Sequence, residues 1–184
     1  NKNDARIVYC GAGTSARLAV QDGVELYPTF GWSRKKVEFV IAGGKQALTR
    51  SIENSEDDIK SAIERVKKIN LSENDVVIGL AASGNTPFTC EVIRQANLQK
   101  SITIGISNNP NGQIIKISDY HIILNTKAEV VAGSTRLKAG TAQKICLNVI
   151  STILMTKLGF VKDGYMINLV PSNKKLRKRK KLIL

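Results

Sequence analysis

The sequence predicts an α/β fold built on a doubly wound parallel sheet of about five strands flanked by helices. Short β-branched runs bounded by Gly, Asn or Ser alternate with segments of helical periodicity. Near-continuous apolar runs of this length are typical of parallel strands covered on both faces. The predicted strands are Arg6–Cys10, Val37–Ala42, Val76–Leu80, Ile102–Ser107 and Tyr120–Leu124.

Apolar residues that recur every three or four positions predict three helices. We interpret each apolar stripe as a face that packs on the core, and the third stripe is the longest. The three stripes are Ile59, Ala62, Ile63, Val66 and Ile69; then Phe88, Val92, Ile93 and Ala96; then Ile145, Val149, Ile150, Ile153, Leu154 and Leu158.

Length and composition indicate one globular domain. A chain of 184 residues with 42% hydrophobic content can bury one sizeable core, and we assign that domain to residues 1–172, followed by a basic tail at 173–184. No apolar run approaches the length of a membrane span, so we expect a cytoplasmic protein without membrane partners. Because the chain begins at Asn1 without an initiator methionine, we expect a fragment of a longer protein.

The cysteines predict neither disulfides nor a metal site. Cys10, Cys90 and Cys146 are odd in number, far apart and embedded in apolar segments. Metal-ligand spacing is absent from the sequence, so buried reduced thiols are the favoured interpretation.

A formal charge of +13 raises the possibility of nucleic-acid binding, but the charge is concentrated in the tail. Subtracting its seven basic residues leaves +6 for the rest of the chain. No aromatic residue interleaves with these cations to stack on bases, so we predict no specific nucleic-acid partner, although nonspecific binding to polyanions follows from the charge. The seven residues are Lys174, Lys175, Arg177, Lys178, Arg179, Lys180 and Lys181.

Three polar loops, each directly after an apolar run, predict a site for a phosphorylated ligand. The first polar loop is 11–15, the second is 81–86 and the third is 133–135. Hydroxyls and bare N–H groups at a helix start attract anions, and glycine allows close approach of the backbone. One glycine-rich turn would more simply be a tight chain reversal, but three in one domain favour a bound phosphate.

A dinucleotide site is a weaker interpretation of the first polar loop. The fingerprint needs a third glycine or alanine after Gly11-Ala12-Gly13, and Ala16 fits that pattern only loosely. An acid that binds ribose should also close the second strand, where the chain instead reads Ile41-Ala42-Gly43-Gly44.

Several motifs resemble the bacterial N-acetylmuramic acid 6-phosphate etherase family, a branch of the sugar isomerase (SIS) domain class. The most specific of them is Gly133 to Lys144, and the likeness runs in order from about Ile7 to about Leu176. The sequence is also similar, less closely, to the vertebrate glucokinase regulatory protein, which carries this domain without catalysis. The other matching motifs are 11–18, 41–44, 53–57 and 81–87.

The resemblance implies an SIS-type fold and a carbon–oxygen lyase. Family members cleave the lactyl ether of N-acetylmuramic acid 6-phosphate to N-acetylglucosamine 6-phosphate and D-lactate during cell-wall recycling. The resemblance further implies that the partner is a phosphorylated amino sugar and that no metal or cofactor is needed. It also implies a homodimer with its sites near the subunit interface.

The resemblance also implies two catalytic carboxylates. Carried over by motif, Glu25 is the proton donor and Glu56 the second acidic residue. The residues alone leave simpler roles open: Glu56, Asp57 and Asp58 precede a helix whose positive end they would complement, and Glu25 would be an exposed acid in a loop after the first helix.

Uncharged groups supply the predicted contacts to phosphate. Ser83 and Thr86 could instead cap the helix near Pro87, and Ser134 or Thr135 could cap the last long helix. The candidate substrate-binding residues are Gly13, Thr14, Ser15, Ser83, Gly84, Asn85, Thr86, Ser134 and Lys138.

Other polar residues near these motifs carry weaker indications. Arg136, Lys138 and Lys144 could pair with phosphate or remain surface charges. His121 falls within a predicted strand, where an edge position is favoured over a catalytic one.

Two functions therefore stand at this stage: the etherase, and a noncatalytic sugar-phosphate sensor like the regulatory relative. The presence of both Glu25 and Glu56 favours the enzyme, because a sensor has no chemical need for a paired acid and base. Phosphosugar isomerisation is a lesser possibility, against which the long Gly133 to Lys144 match argues.

Overall fold

A parallel five-stranded sheet forms the centre of the protein, as the sequence predicts. The computed structural model describes residues 5–183, apart from the side chains of the last two of them. The five strands are β1 Ile7–Gly11, β2 Val37–Ile41, β3 Val76–Leu80, β4 Ile102–Ser107 and β5 Tyr120–Ile123. A short antiparallel hairpin follows, with β6 at Val161–Lys162 and β7 at Tyr165–Met166.

The strand order is β2-β1-β3-β4-β5, and every neighbouring pair is parallel. Starting from β1, the chain first places β2 on one side of that strand. It then places β3, β4 and β5 successively on the other side. The crevice between the carboxyl ends of β1 and β3 is therefore the switch point, where doubly wound sheets bind ligands. The predicted strands agree with these bounds to within one residue at each end.

Helices cover both faces of the sheet. One face carries α1 Gly13–Phe30 and α5 Lys138–Lys157, which pack on each other and on a core that includes Leu26 and Leu147. The other face carries α2 Ile59–Ile69, α3 Pro87–Leu98 and α4 Gln113–Ile117 over a second core centred on Phe88. A sixth helix, α6, spans Lys174–Ile183.

Helix α1 extends past Glu25. The simpler alternative that placed Glu25 in a loop after the first helix is wrong, because the helix continues through Pro28 to Phe30. The helix ends at Gly31, whose positive φ of 70° lets its N–H and that of Trp32 bond carbonyls of the last turn. Glu25 therefore stands on an exposed side of a regular helix.

Helix α5 also differs from the prediction, because much of its apolar stripe is exposed. Ile145, Val149 and Ile153 are each about half exposed, and Ile150 and Leu154 pack only partly on the core. The fully buried side of the helix instead includes small and polar residues such as Gly140 and Gln143. Val24 of α1 and Leu158, just after α5, are exposed as well.

The polar residues on the buried side of α5 are hydrogen-bonded to α1 and β4. The buried Asp22 of α1 accepts hydrogen bonds from Asn148 at 2.8 Å and Ser151 at 3.1 Å. Gln143 donates to Asn108, just beyond β4, at 3.0 Å. These bonds fix the rotation of α5 and leave its apolar stripe facing outward.

At the amino end of the sheet an ion pair joins two strands. The Asp75 carboxylate is fully buried and accepts from the Arg6 guanidinium at 2.6 and 3.0 Å, and from the amides of Arg6 and Ser72. Burial alone would raise the pKa of Asp75, but these hydrogen bonds and the Arg6 charge together lower it.

The three cysteines are free thiols, as predicted. Cys10 and Cys90 are buried and Cys146 is half-buried. Burial raises the pKa of all three thiols. They are therefore poor nucleophiles at neutral pH.

Candidate functional site at the carboxyl edge of the sheet

The first and second polar loops meet at the switch point. They follow neighbouring strands, β1 and β3, in which Gly11 is registered with Leu80. The approach is close: a methyl group added at Gly11 would lie 3.1 Å from the Leu80 carbonyl oxygen and 3.2 Å from the Ala16 nitrogen. The two predicted phosphate loops are therefore neighbours at this edge of the sheet.

Two of the helices that begin at this edge are capped by acidic side chains. Helix α2 is capped by Asp58, which accepts from the Ser61 amide at 2.9 Å. Helix α5 is capped by Glu129, whose carboxylate accepts from the amides of Lys138 and Ala139 at 3.1 and 2.8 Å. Both N-termini already hold an anionic group that complements the helix dipole.

By contrast, α1 and α3 begin without a side-chain cap. Ala12 precedes α1 and has no side-chain acceptor, and Thr86 precedes α3 without making a capping hydrogen bond. Their first-turn N–H groups therefore remain available to a ligand. These two helices are the ones that start from the first and second polar loops, which makes the switch point the favoured anion site.

Glu129 is a residue that the sequence reasoning missed. The alternative in which Ser134 or Thr135 caps the last long helix is wrong, because α5 begins at Lys138 and its first amides donate to Glu129. Glu129 lies nine residues before the first residue of α5, which is too far for a local capping motif in the sequence to identify it.

In the first polar loop, all three predicted residues lie at the start of α1. Gly13 has a φ of 54° and open space where a side chain would be. Ser15 is buried, and Thr14 approaches α5: a methyl group at Gly140 would lie 3.3 Å from Thr14 Cγ2. The first and third polar loops are thus brought together through the first turns of α1 and α5.

In the second polar loop, three of the four predicted residues, Ser83, Gly84 and Asn85, have structural partners. Gly84 has a φ of 72°, and a methyl group on it would lie 2.5 Å from Gly112 Cα, so only glycine fits there. The side-chain Oδ1 of Asn85 accepts from the Gln113 amide at the start of α4. Ser83 accepts from the Asn85 amide, and Thr86 makes no capping bond.

The third polar loop is a tight turn beside Glu129. The Ser134 amide donates to the Val131 carbonyl at 3.0 Å, while the Lys138 ammonium donates to the Ala128 carbonyl at 2.6 Å. Lys138 is therefore folded back on the loop. Arg136 is exposed.

Glu56 lines a cavity that opens beside the first polar loop. The cavity is about 160 Å³ and is lined by Gly13, Arg17, Arg50, Glu53 and Glu56, among others. Arg17 is held by hydrogen bonds to the carbonyls of Ala47 and Arg50. These two arginines were not singled out from the sequence, although the position of Arg17 one turn after Gly13 would have indicated it.

Glu25 lies elsewhere on the same subunit. It lines a separate cavity of about 280 Å³ between α1 and α5, together with Gln21, Asp22, Lys144 and Asn148. Twelve residues of helix separate Glu25 from Gly13, which corresponds to about 18 Å along the axis. Within one chain the two predicted catalytic carboxylates therefore do not share a cavity.

His121 lies on β5, an edge strand, and is exposed, as the sequence favoured.

Comparison with family models identifies the domain class. Residues 51–153 match the model described as SIS domain, and residues 1–97 match that of the glucokinase regulatory protein N-terminal SIS domain. This chain belongs to the SIS domain family.

Curated relatives of this SIS domain are named N-acetylmuramic acid 6-phosphate etherase. The chain is 47% identical to the protein of Oceanobacillus iheyensis over 183 residues, covering 100% of this chain and 62% of the relative. It is 43% identical to that of Mycoplasma mycoides, with 97% and 59% coverage. The chain thus spans about three-fifths of the length of these relatives.

Solved structures share the SIS fold at low identity. A phosphoheptose isomerase from Francisella tularensis superposes with a TM-score of 0.64 at 14% identity, covering 84% of this chain and 78% of the other. The C-terminal domain of glucosamine-fructose-6-phosphate aminotransferase from the same organism has a TM-score of 0.60 at 16% identity, with 99% and 42% coverage. At these identities the likeness establishes the fold alone.

Within residues 5–183 the SIS domain contains no group of three or more His, Cys, Asp or Glu side chains placed to hold a metal ion. No helix in that range combines the length and apolarity that crossing a bilayer requires.

Proposed function

We propose that this SIS domain belongs to an N-acetylmuramic acid 6-phosphate etherase that acts in cytoplasmic cell-wall recycling. The observation that carries the proposal is the 43–47% identity to proteins of that name along nearly the whole chain. The open helix N-termini at the switch point supply a place for the 6-phosphate.

In the proposed reaction the open-chain sugar is held by its phosphate. The C2 proton is acidic because C1 is an aldehyde, so a carboxylate can remove it. The C3–O bond then breaks as lactate leaves with a proton from an acid, and water adds to the resulting double bond at C3. One carboxyl group must be ionised and the other protonated for these two steps.

Glu25 and Glu56 are the proposed pair. Glu56 stands beside Gly13 and two arginines, which would attract an anionic sugar. Glu25 stands beside Lys144 on the other side of α1. Ser15, Ser83, Thr86 and the N–H groups around them are the proposed phosphate ligands.

The separation of these carboxylates supports a homodimer in which two copies complete each site. The exposed stripe Ile145, Val149 and Ile153 borders the Glu25 cavity through Lys144 and Asn148. Burying such a stripe against a second copy is favourable at roughly 25 cal/mol per Å². A symmetric pairing there would carry the Glu25 of one subunit towards the partner subunit.

The function is tested by measuring D-lactate release from N-acetylmuramic acid 6-phosphate. We expect release by the purified chain and its loss in Glu25→Gln and Glu56→Gln, while Glu64→Gln on the exposed side of α2 stays active. Stabilisation by N-acetylglucosamine 6-phosphate should persist in both inactive variants. Lactate release by either variant at the wild-type rate would contradict the assignment.

Mixing the two inactive variants tests the shared site. If each site takes Glu25 from one copy and Glu56 from the other, equimolar mixing restores about a quarter of the activity, because half of the random dimers regain one site. If both carboxylates act within one subunit, a mixed dimer has no intact site and activity stays absent. Sedimentation of the purified chain would establish whether dimers form.

A further inference from the structure

The strongest charge feature of the molecule lies away from the sugar-phosphate crevice. Helix α6 carries seven basic residues and no acidic residue. Six of the seven are exposed, and among residues 5–183 the ion pairs join Arg6 to Asp75 and Arg94 to Glu91, so none involves α6. The helix therefore presents a dense, unpaired positive charge.

The chain leaves the domain for α6 at the amino end of the sheet. The Val170 amide donates to the Pro28 carbonyl at 3.1 Å, and Asn168 lies against Gly31, so this segment packs on the last turn of α1. The turn that follows α1 is Arg34–Lys36, directly before β2. Helix α6 begins at Lys174, only four residues beyond Val170.

This turn adds three more cations on the same side of the domain. The Arg34 guanidinium lies 4.1 Å from the centre of the Tyr27 ring, and the Lys36 ammonium lies 5.2 Å from that of Trp32. Lys35 and Lys36 line a wide cleft of about 530 Å³. We define the basic surface as α6 together with Arg34–Lys36.

We propose that the basic surface binds the phosphate backbone of double-stranded nucleic acid without reading its sequence. An α-helix with its side chains is about 10–12 Å across, which fits a major groove about 12 Å wide. At about 1.5 Å per residue, α6 extends about 15 Å and spaces its cations at intervals comparable to duplex phosphates.

The composition of α6 favours this partner over a membrane. Seven of the ten residues of α6 are basic and are distributed around most of the helix, and its three apolar residues are Leu176, Leu182 and Ile183. Interfacial membrane helices need a broad apolar face, commonly with aromatic residues, whereas α6 has three apolar residues and no aromatic residue. The polar side chains of α6 are all Arg and Lys, whose charges act on the phosphates of any sequence, so binding is expected to be largely indifferent to sequence.

The proposal is tested by fluorescence anisotropy with a labelled 20-base-pair DNA duplex over a range of salt concentrations. We expect the full chain to bind with a steep salt dependence. Deleting residues 173–184 should weaken binding at least 100-fold at 50 mM salt and reduce the log–log salt slope by about three to five, at about 0.9 per neutralised phosphate.

A matched pair of double variants separates local contacts from net charge. Arg177→Glu with Lys178→Glu changes the charge by the same amount as Lys45→Glu with Lys116→Glu, which lie outside the basic surface. We expect the first pair to weaken duplex binding at least tenfold more than the second. Equal weakening by the two pairs would overturn the proposal, since net charge alone would then explain binding.

Two further results would also overturn the proposal. One is duplex affinity that stays within threefold after deletion of 173–184. The other is tighter binding of the full chain to phosphatidylglycerol vesicles than to the duplex at the same salt concentration. An unrelated duplex sequence should bind within threefold of the first, and thermal unfolding of each variant checks that the domain remains folded.

Discussion

The two ends of the sheet use their polar groups in opposite ways. At the amino end, the buried Asp75 carboxylate is fully engaged by Arg6 and by two backbone amides. At the carboxyl end, α1 and α3 start with no side-chain cap. The first arrangement contributes to stability, whereas the second leaves donors for a ligand, so mutations at the two ends should separate stability from binding.

The largest expected effect is at the amino end. Asp75→Asn removes the charge that Arg6 binds and should lower the free energy of unfolding by about 3 kcal/mol, the lower part of the range for buried pairs because Arg6 is partly exposed. Urea unfolding measures this change. Glu73→Gln, at an exposed position nearby, is the control, and a loss below 1 kcal/mol for Asp75→Asn would contradict this account.

The pH dependence of stability should distinguish the two ends. The lowered pKa of Asp75 means that its contribution is present above the unfolded-state value near 3.9 and is lost as the pH falls through the folded value. Between pH 7 and acid pH, the free energy of unfolding of Asp75→Asn should therefore fall by less than that of the wild type.

The alkaline side tests Cys10, at the carboxyl end of β1. Burial raises the pKa of this thiol, so its contribution is full below the unfolded-state value near 8.5 and is lost as the pH rises above it. Between pH 8.5 and 10.5 the wild type should lose about 2 kcal/mol more than Cys10→Ala. Equal losses in urea titrations at the two pH values would show that another group dominates.

The carboxylate caps should have smaller effects. Glu129→Ala releases two amides of α5 and should lower the free energy of unfolding by about 1–2 kcal/mol. Ser134→Ala is the matched control in the third polar loop, with an expected change below about 0.5 kcal/mol. If the two changes were equal, Glu129 would not be the effective cap.

The smallest effect on stability is expected at the open N-termini. Thr86→Ala should change the free energy of unfolding by less than about 0.5 kcal/mol, because the hydroxyl makes no capping bond. The same variant should bind N-acetylglucosamine 6-phosphate about tenfold more weakly, at about 1.4 kcal/mol for a hydrogen bond to a charged group. Calorimetry on the folded variant measures the affinity. If Thr86→Ala instead kept its affinity for the sugar phosphate and lost stability, Thr86 would serve the fold and not the ligand.

The strands and the switch point could be predicted from sequence because both follow local patterns. Apolar runs bounded by Gly or Asn identified the strands, and the polar loops after β1 and β3 identified the crevice. The confirmed strands and switch point are encoded by residue patterns that extend over about ten residues of the sequence.

Features that depend on distant partners were harder to predict. The outward rotation of α5 depends on Asp22 bonding Asn148 and Ser151, more than 120 residues away in sequence. Periodicity located the apolar stripe but could not tell which side of the helix meets the core. The cap by Glu129 and the extension of α1 past Glu25 were missed for related reasons, since tertiary contacts override local preferences. The roles of Glu25, Glu56 and the phosphate-binding residues stay predictions.

The buried Asp22 carboxylate also has a consequence for motion. Because it holds α1 to α5 through side chains of both helices and also accepts from the Tyr9 hydroxyl of β1, neither helix can separate without leaving a desolvated charge unpaired. The two helices should therefore open as one cooperative unit, with similar free energies of amide hydrogen exchange along both. A displacement of α5 would therefore carry α1 with it.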